Sequence, residues 1–235
     1  MYIDQYYIIL VVPTIIISLI AQFKVKSTFS KYSKYASKRG INGAQAAQLL
    51  LKANNITDVR IEHVSGSLTD HYAPTQKVLR LSDSVYSKTS IAAIGVAAHE
   101  TGHAIQHARG YAPLWLRSAI VPIANFGSRF GPLLAFLGLG IGYGNTSSGI
   151  GWLLVEIGIL LFGCSVLFSL VTLPVEFNAS RRAIKILRQT NTLDEAELKA
   201  TKKVLSAAAM TYVASALTAI ASFLRLVFIA KNRRN

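Results

Sequence analysis

The chain has 235 residues, 51% of them hydrophobic, and a formal net charge of +14. Its apolar residues come in long blocks and not in short alternating elements, which points away from an ordinary soluble core and towards membrane spans. The lysines and arginines flank those blocks without interleaved exposed aromatics, so the charge reads as membrane orientation and no nucleic-acid partner is expected.

Residues 6–23 (YYIILVVPTIIISLIAQF) form the first expected span, with Pro13 as a source of a kink. Asp4 precedes it and a basic cluster follows, the reverse of a signal peptide, so residues 1–23 are expected to stay as an N-terminal transmembrane anchor. Lys24, Lys26, Lys31, Lys34, Lys38 and Arg39 come next, which puts the N-terminus outside and the following segment, 24–112, in the cytoplasm. Within it, residues 41–54 read as an amphipathic helix with Asn42 as N-cap and Asn54 and Asn55 as its stop. Two alternating stretches, 58–64 and 77–82, read as short strands on either side of the turn-rich SGSLTDHYAPTQ. In that loop His71 and Tyr72 are candidate donors to a tetrahedral oxyanion, and Asp70 is equally well read as a turn residue.

The central stretch is AAHETGHAIQHARG, residues 97–110, which sets His99, Glu100 and His103 in the pattern H-E-x-x-H. On a helix, His99 and His103 lie about one turn apart on one face, so both imidazoles can reach one metal ion. Glu100 then stands beside the open metal position, where a carboxylate can take a proton from water and return it to a leaving amine. The preceding SIAAIGVAA is small and apolar, as expected of a buried helix whose polar residues need a partner. His107 lies about 12 Å of helix rise from His99, too far to share the ion. Gln106 and Arg109 occupy the Gly and His places of the elongated motif, which is therefore not met.

Residues 113–173 read as a transmembrane hairpin. Arg117 and Arg129 make 113–129 partly interfacial, 130–143 is the deeper piece, GNTSSG at 144–149 is a polar turn, and 150–173 is the next span. This out-and-back path delivers Glu176, in LPVEFNASRRA, to the side of the two histidines. Pro174 can open a helix there, with Glu176 and Ser180 an i, i+4 pair on one face. Glu176 is thus the better candidate for a third ligand, with Glu156, embedded in WLLVEIGILLF, as its competitor. The segment 174–204 is expected to be a helix carrying that ligand, again on the basic, cytoplasmic side. Residues 205–235 hold a last apolar block containing Arg225, and a basic tail. That block is either a soluble-side helix followed by a shallow anchor or a span that breaks the charge rule. Cys164, the single cysteine, lies inside an apolar block, leaving no intramolecular disulfide and no thiolate cluster for metal.

Three stretches, HYAPTQKVLRLSDSVY, SIAAIGVAAHETGHAIQHARGYAPLWLRS and LPVEFNASRRA, resemble the YugP-like family of bacterial membrane zinc metallopeptidases, and the likeness runs over most of the chain. The resemblance implies a gluzincin arrangement: one Zn2+ held by His99, His103 and Glu176, with Glu100 as catalytic base. In similar zincins a strand borders the cleft and pairs with extended substrate. Related membrane gluzincins often carry Asp at the fourth or a neighbouring place after the ligand Glu, where this chain has Ser180 and Asn178.

The expected fold is mainly α, multi-pass membrane helices with a small zincin-like α+β catalytic part. Two functions fit: an integral membrane zinc metalloendopeptidase acting on a protein or peptide substrate near the cytoplasmic face of the bilayer, or a non-catalytic membrane scaffold with a structural zinc site. Three ligands plus a placed base favour the enzyme, because structural sites close all four positions. Nothing in the sequence indicates an oligomeric state.

The topology is testable. Single cysteines at Ser37 and Gln189, with Cys164 replaced, are expected to be shielded from an impermeant thiol reagent in intact cells, and one at Ser147 is expected to react. Labelling at Ser37 or Gln189 from outside reverses the orientation.

Overall fold

In the computed structural model, which describes residues 4–141 and 149–234, a π-helical turn at Tyr7–Val11 leads into helix α1, Val12–Tyr32. Pro13 has no N–H for the carbonyl four residues back, and the ladder just upstream of it is wound to the wider i→i+5 pattern. Helix α2, Gly43–Ala53, opens with a reciprocal cap: Asn42 Oδ1 accepts from Gln45 N and Gln45 Oε1 accepts from Asn42 N, both at 2.9 Å. It ends at Asn54, and Asn55 turns the chain with φ 57°.

A sheet follows, built from β1 (Arg60–Val64), β2 (His71–Ala73) and β3 (Val78–Ser82) in the order β1-β3-β2, with β1 parallel and β2 antiparallel to β3. The segment between the two expected strands thus contains a third, too short to show an alternating period. Asp70 fixes its start, because its carboxylate accepts from Ser82 N at 2.7 Å and Ser82 Oγ at 2.9 Å. β3 is paired on both sides and buries Val78, Leu79 and Leu81 completely, so only β1 and β2 offer a free edge.

Helix α3, Ile91–Ala108, is capped by Ser90, whose Oγ accepts from Ala93 N. It packs between two apolar clusters, with Leu79, Leu81 and Ala47 against Ala93 and Ala97, and with Leu50, Leu187, Leu198 and Leu205 around Ile94, Ala98 and Ile105. Helices α4 (Ala112–Ile141), α5 (Gly149–Gln189) and α6 (Glu195–Arg234) complete the chain. α5 is continuous through Pro174, so Pro174 lies within a helix and does not open one; the long ladder on both sides absorbs the one missing donor. The break falls instead at 190–194, where Arg39 Nη1 donates to the carbonyls of Thr190 and Asn191, and Asp194 and Glu197 cap α6 reciprocally. The turn expected at 144–149 lies outside the described residues, apart from Gly149, which starts α5.

The chain divides into two units. One comprises Met1–Ile20, Leu116–Leu173 and Tyr212–Asn235, the other Ala21–Trp115 and Pro174–Thr211. The first displays large apolar side chains outward, among them Ile9, Leu19, Leu133 and Leu160, as a lipid-facing surface does. Inside it α4 and α5 approach backbone to backbone: a Cβ on Gly131 would stand 2.8 Å from the Gly158 carbonyl oxygen. Among the described residues, α5, α6, α4 and the helical stretch through α1 are each long and apolar enough to cross a membrane. α6 is one unbroken helix, so the last apolar block continues the helix that precedes it without a break. Its Arg225 is compensated: Nε and Nη2 donate to Asp4 Oδ2 at 2.9 and 2.6 Å, with both side chains nearly buried. Ser37 is 4% exposed, so a cysteine there would be shielded by packing alone, and exposed Lys34 is the better topology reporter.

Because the Asp4–Arg225 pair is about nine-tenths buried, Arg225→Met is expected to cost about 3 kcal/mol by stranding the carboxylate. Asp4→Asn combined with Arg225→Met should recover most of that loss. Thermal unfolding of the detergent-solubilised protein measures both, and equal losses in the single and double variants would contradict the pairing.

Candidate metal centre

Helices α3 and α5 bring together three of the residues singled out in the sequence. His99 Nε2 lies 3.2 Å and His103 Nε2 3.5 Å from the same oxygen, Glu176 Oε2, and the two imidazole rings stand almost perpendicular at 4.8 Å between centroids. All three side chains are largely buried, Glu176 most of all. Ligand atoms held about 2.05 Å from a tetrahedral centre are about 3.3 Å apart, which matches the two separations from Glu176 Oε2, and all three candidate ligand atoms lie within 4.8 Å of one another. Among the described residues this is the group of histidine, cysteine and carboxylate side chains that could hold a metal.

The other nitrogen of each ring is tied down. Gln106, fully buried one turn after His103, donates through Nε2 to the Val175 carbonyl at 2.8 Å and to Asn178 Oδ1 at 3.0 Å. Its Oε1 therefore faces His103 Nδ1, 3.0 Å away, and accepts that proton, and Nε2 is the nitrogen that faces Glu176. Ser180 Oγ takes the same place beside His99 Nδ1 at 3.1 Å. Arg182 Nε donates to Asn178 Oδ1 at 2.7 Å, holding the amide that holds Gln106. Ser180 and Asn178 thus both serve the histidines, one directly and one through Gln106.

Glycine makes the approach possible. A Cβ on Gly102 would lie 2.6 Å from the carbonyl oxygen of Ala179, so any larger residue pushes α3 off α5. Neither Gln106 nor Gly102 was singled out from the sequence as part of the site. Gln106 was detectable as the i+3 neighbour of His103 on one helical face, and Gly102 as a small residue set between the motif's polar positions.

Glu100 is buried beside this group, 9% exposed, and burial pushes its carboxyl up to about 7, with Glu176 and Asp70 adding to the effect and His99 opposing it. For Glu176 burial also raises the carboxyl, but hydrogen bonds and charge from His103 and His99 outweigh it and hold the group well below the usual carboxylate range.

The remaining candidates stand outside the group of three. His71 is exposed, with Nδ1 2.9 Å from the Thr69 carbonyl. Tyr72 OH is engaged with His107 Nδ1 at 2.8 Å, which links β2 to α3, and burial pushes its hydroxyl up to about 12. His107 is occupied in that contact.

The match between this geometry and a zinc site is reinforced by kinship. The chain belongs to the family described as "putative neutral zinc metallopeptidase", whose profile matches residues 7–231. Over 229 residues it is 47% identical to a Bacillus subtilis (strain 168) protein named "putative membrane protease YugP", an alignment that covers 97% of this chain and 98% of that one. No solved structure matches.

Alanine at His99, His103 or Glu176 is expected to abolish stoichiometric zinc in the purified protein, measured by elemental analysis, and His107→Ala to leave it. Gln106→Leu and Ser180→Ala should weaken zinc affinity roughly 10- to 100-fold by freeing the rings they hold. Zinc retained in Glu176→Ala but lost in His107→Ala would reassign the third ligand.

Proposed function

We propose that the protein is an integral membrane zinc metalloendopeptidase in which His99, His103 and Glu176 hold one Zn2+, Glu100 is the general base, and the site faces the cytoplasm. The observation that carries this reading is the convergence of both Nε2 atoms on Glu176 Oε2 at 3.2 and 3.5 Å with Glu100 buried alongside. A zinc ion, when bound, supplies Lewis acidity to a water and to the scissile carbonyl.

The protein's own residues supply the rest. Gln106 accepts from His103 Nδ1 and Ser180 engages His99 Nδ1, so each ring is held with Nε2 turned towards Glu176 before anything binds. Glu100, with its carboxyl raised towards neutrality by burial, takes a proton from the attacking water and delivers it to the departing amine nitrogen. β2 is an edge strand tied to α3 through Tyr72 and His107, and its unpaired side can receive an extended peptide backbone beside the site. Tyr72 keeps its proton across the physiological range and can donate to developing negative charge on that backbone once released from His107, and His71 lies on the same strand. The cytoplasmic assignment is supported by the basic segments on both sides of the apolar blocks. A structural zinc site in a scaffold is the weaker reading, since the group supplies three donors and not four.

Glu100→Gln is expected to keep bound zinc while peptide hydrolysis falls roughly 10²- to 10⁴-fold, the share of a general base. Hydrolysis of an unstructured protein substrate by detergent-solubilised wild type and variant tests this. Equal rates in the two, with zinc present in both, would sink the enzyme reading.

A further inference from the structure

Apart from the metal centre, the same unit contains a groove of about 1330 Å3 lined by α1, α5 and α6. Seven cations line it: Arg188, and Lys24, Lys31, Arg181, Lys199, Lys202 and Lys203, all exposed. Glu195 is the one carboxylate among the described residues that line it, and it is already matched by Arg188 in two hydrogen bonds at 2.8 and 3.0 Å. The groove therefore carries an uncompensated positive field. Its other end is apolar, lined by Leu205, Ala207, Ala209 and Met210, about 10 Å of helix rise beyond Lys203. Three of the cations sit where the helices meet their apolar blocks: Lys24 directly follows the block 6–23, and Lys202 and Lys203 stand just before Val204 and Leu205.

We propose that this groove binds the phosphate headgroup of an anionic phospholipid, with the first part of its acyl chain on the apolar end. Clustered lysines and arginines at the membrane end of spanning helices hold such headgroups, and the gradient from cation to hydrocarbon along one groove matches an amphiphile. An acidic peptide would satisfy the cations and leave the apolar end unused. The groove touches the metal centre only through Ser180, on the Nδ1 side of His99 and away from the Nε2 that faces Glu176, so it is not the substrate cleft. The proposal is independent of the peptidase reading and stands or falls on lipid binding alone.

The test uses the full-length protein in detergent, titrated with dioctanoyl phosphatidylglycerol, dioctanoyl phosphatidylcholine, inorganic phosphate and an oligoglutamate peptide, with bound species counted by native mass spectrometry. Phosphatidylglycerol should bind at least roughly tenfold more tightly than phosphatidylcholine, and Lys24→Gln with Lys203→Gln should weaken it roughly 30-fold, about fivefold per lysine. Lys199→Gln with Lys202→Gln, both on exposed positions, should act in the same direction. Lys26→Gln with Lys34→Gln removes equal charge from residues that line a separate cavity and should leave binding unchanged. Equal binding of the two lipids, equal losses in the groove and control pairs, or displacement of phosphatidylglycerol by free phosphate or oligoglutamate at matching concentration would each overturn the assignment.

Discussion

The backbone contact between α3 and α5 at Gly102 and Ala179 is the constraint on which the site depends. A helix pair packed through ordinary side chains keeps its axes 8–10 Å apart, and here a glycine set against a carbonyl allows a closer approach. Only then can one carboxylate from α5 sit within 3.5 Å of two imidazoles on α3 while a glutamine from α3 reaches the α5 backbone. The contact also explains why the face of α3 carrying the motif is built from alanine and glycine: bulk there would push α3 away from α5. Thr201 against Gly95 closes the same face of α3 to α6 one step earlier along the helix.

The electrostatics follow from that proximity. A glutamate as buried as Glu176 is costly unless it is paired, and both partners are histidines whose remaining nitrogens are already engaged. The result is a polar cluster with every ring orientation specified, inside a helix pair that is otherwise apolar. Two carboxylates of the same cluster are driven in opposite directions, Glu100 up by burial and Glu176 down by its histidines.

Much of this was legible in local sequence, and the parts that were not share a physical cause. The H-E-x-x-H spacing, the Asn42 cap and the pairing of Glu176 with Ser180 on one face are properties of a single helix, and each can be read within a few residues. Gln106 acts through Val175, 69 positions away, and nothing in its neighbourhood announces that. β2 spans three residues, less than any period can reveal, and exists because β3 supplies its partner. Pro174 carries a true local signal for a helix start that a forty-one-residue ladder overrides. Arg225, in the last apolar block, is compensated by Asp4, 221 positions away, a partner that no local reading can supply.

That last pairing bears on how the protein is made. Asp4 and Arg225 are 221 positions apart, and Tyr6 with Asn232 and Ser18 with Thr218 join the same two helices along their length. At ribosomal rates of about 5–20 residues per second, the first helix waits on the order of ten to forty seconds before the last is synthesised. During that interval the acidic N-terminus has no arginine and the outer face of α1 has no α6 to pack on. The membrane unit therefore cannot assemble in the order of synthesis; its first helix is held provisionally and is locked only when the chain is nearly complete.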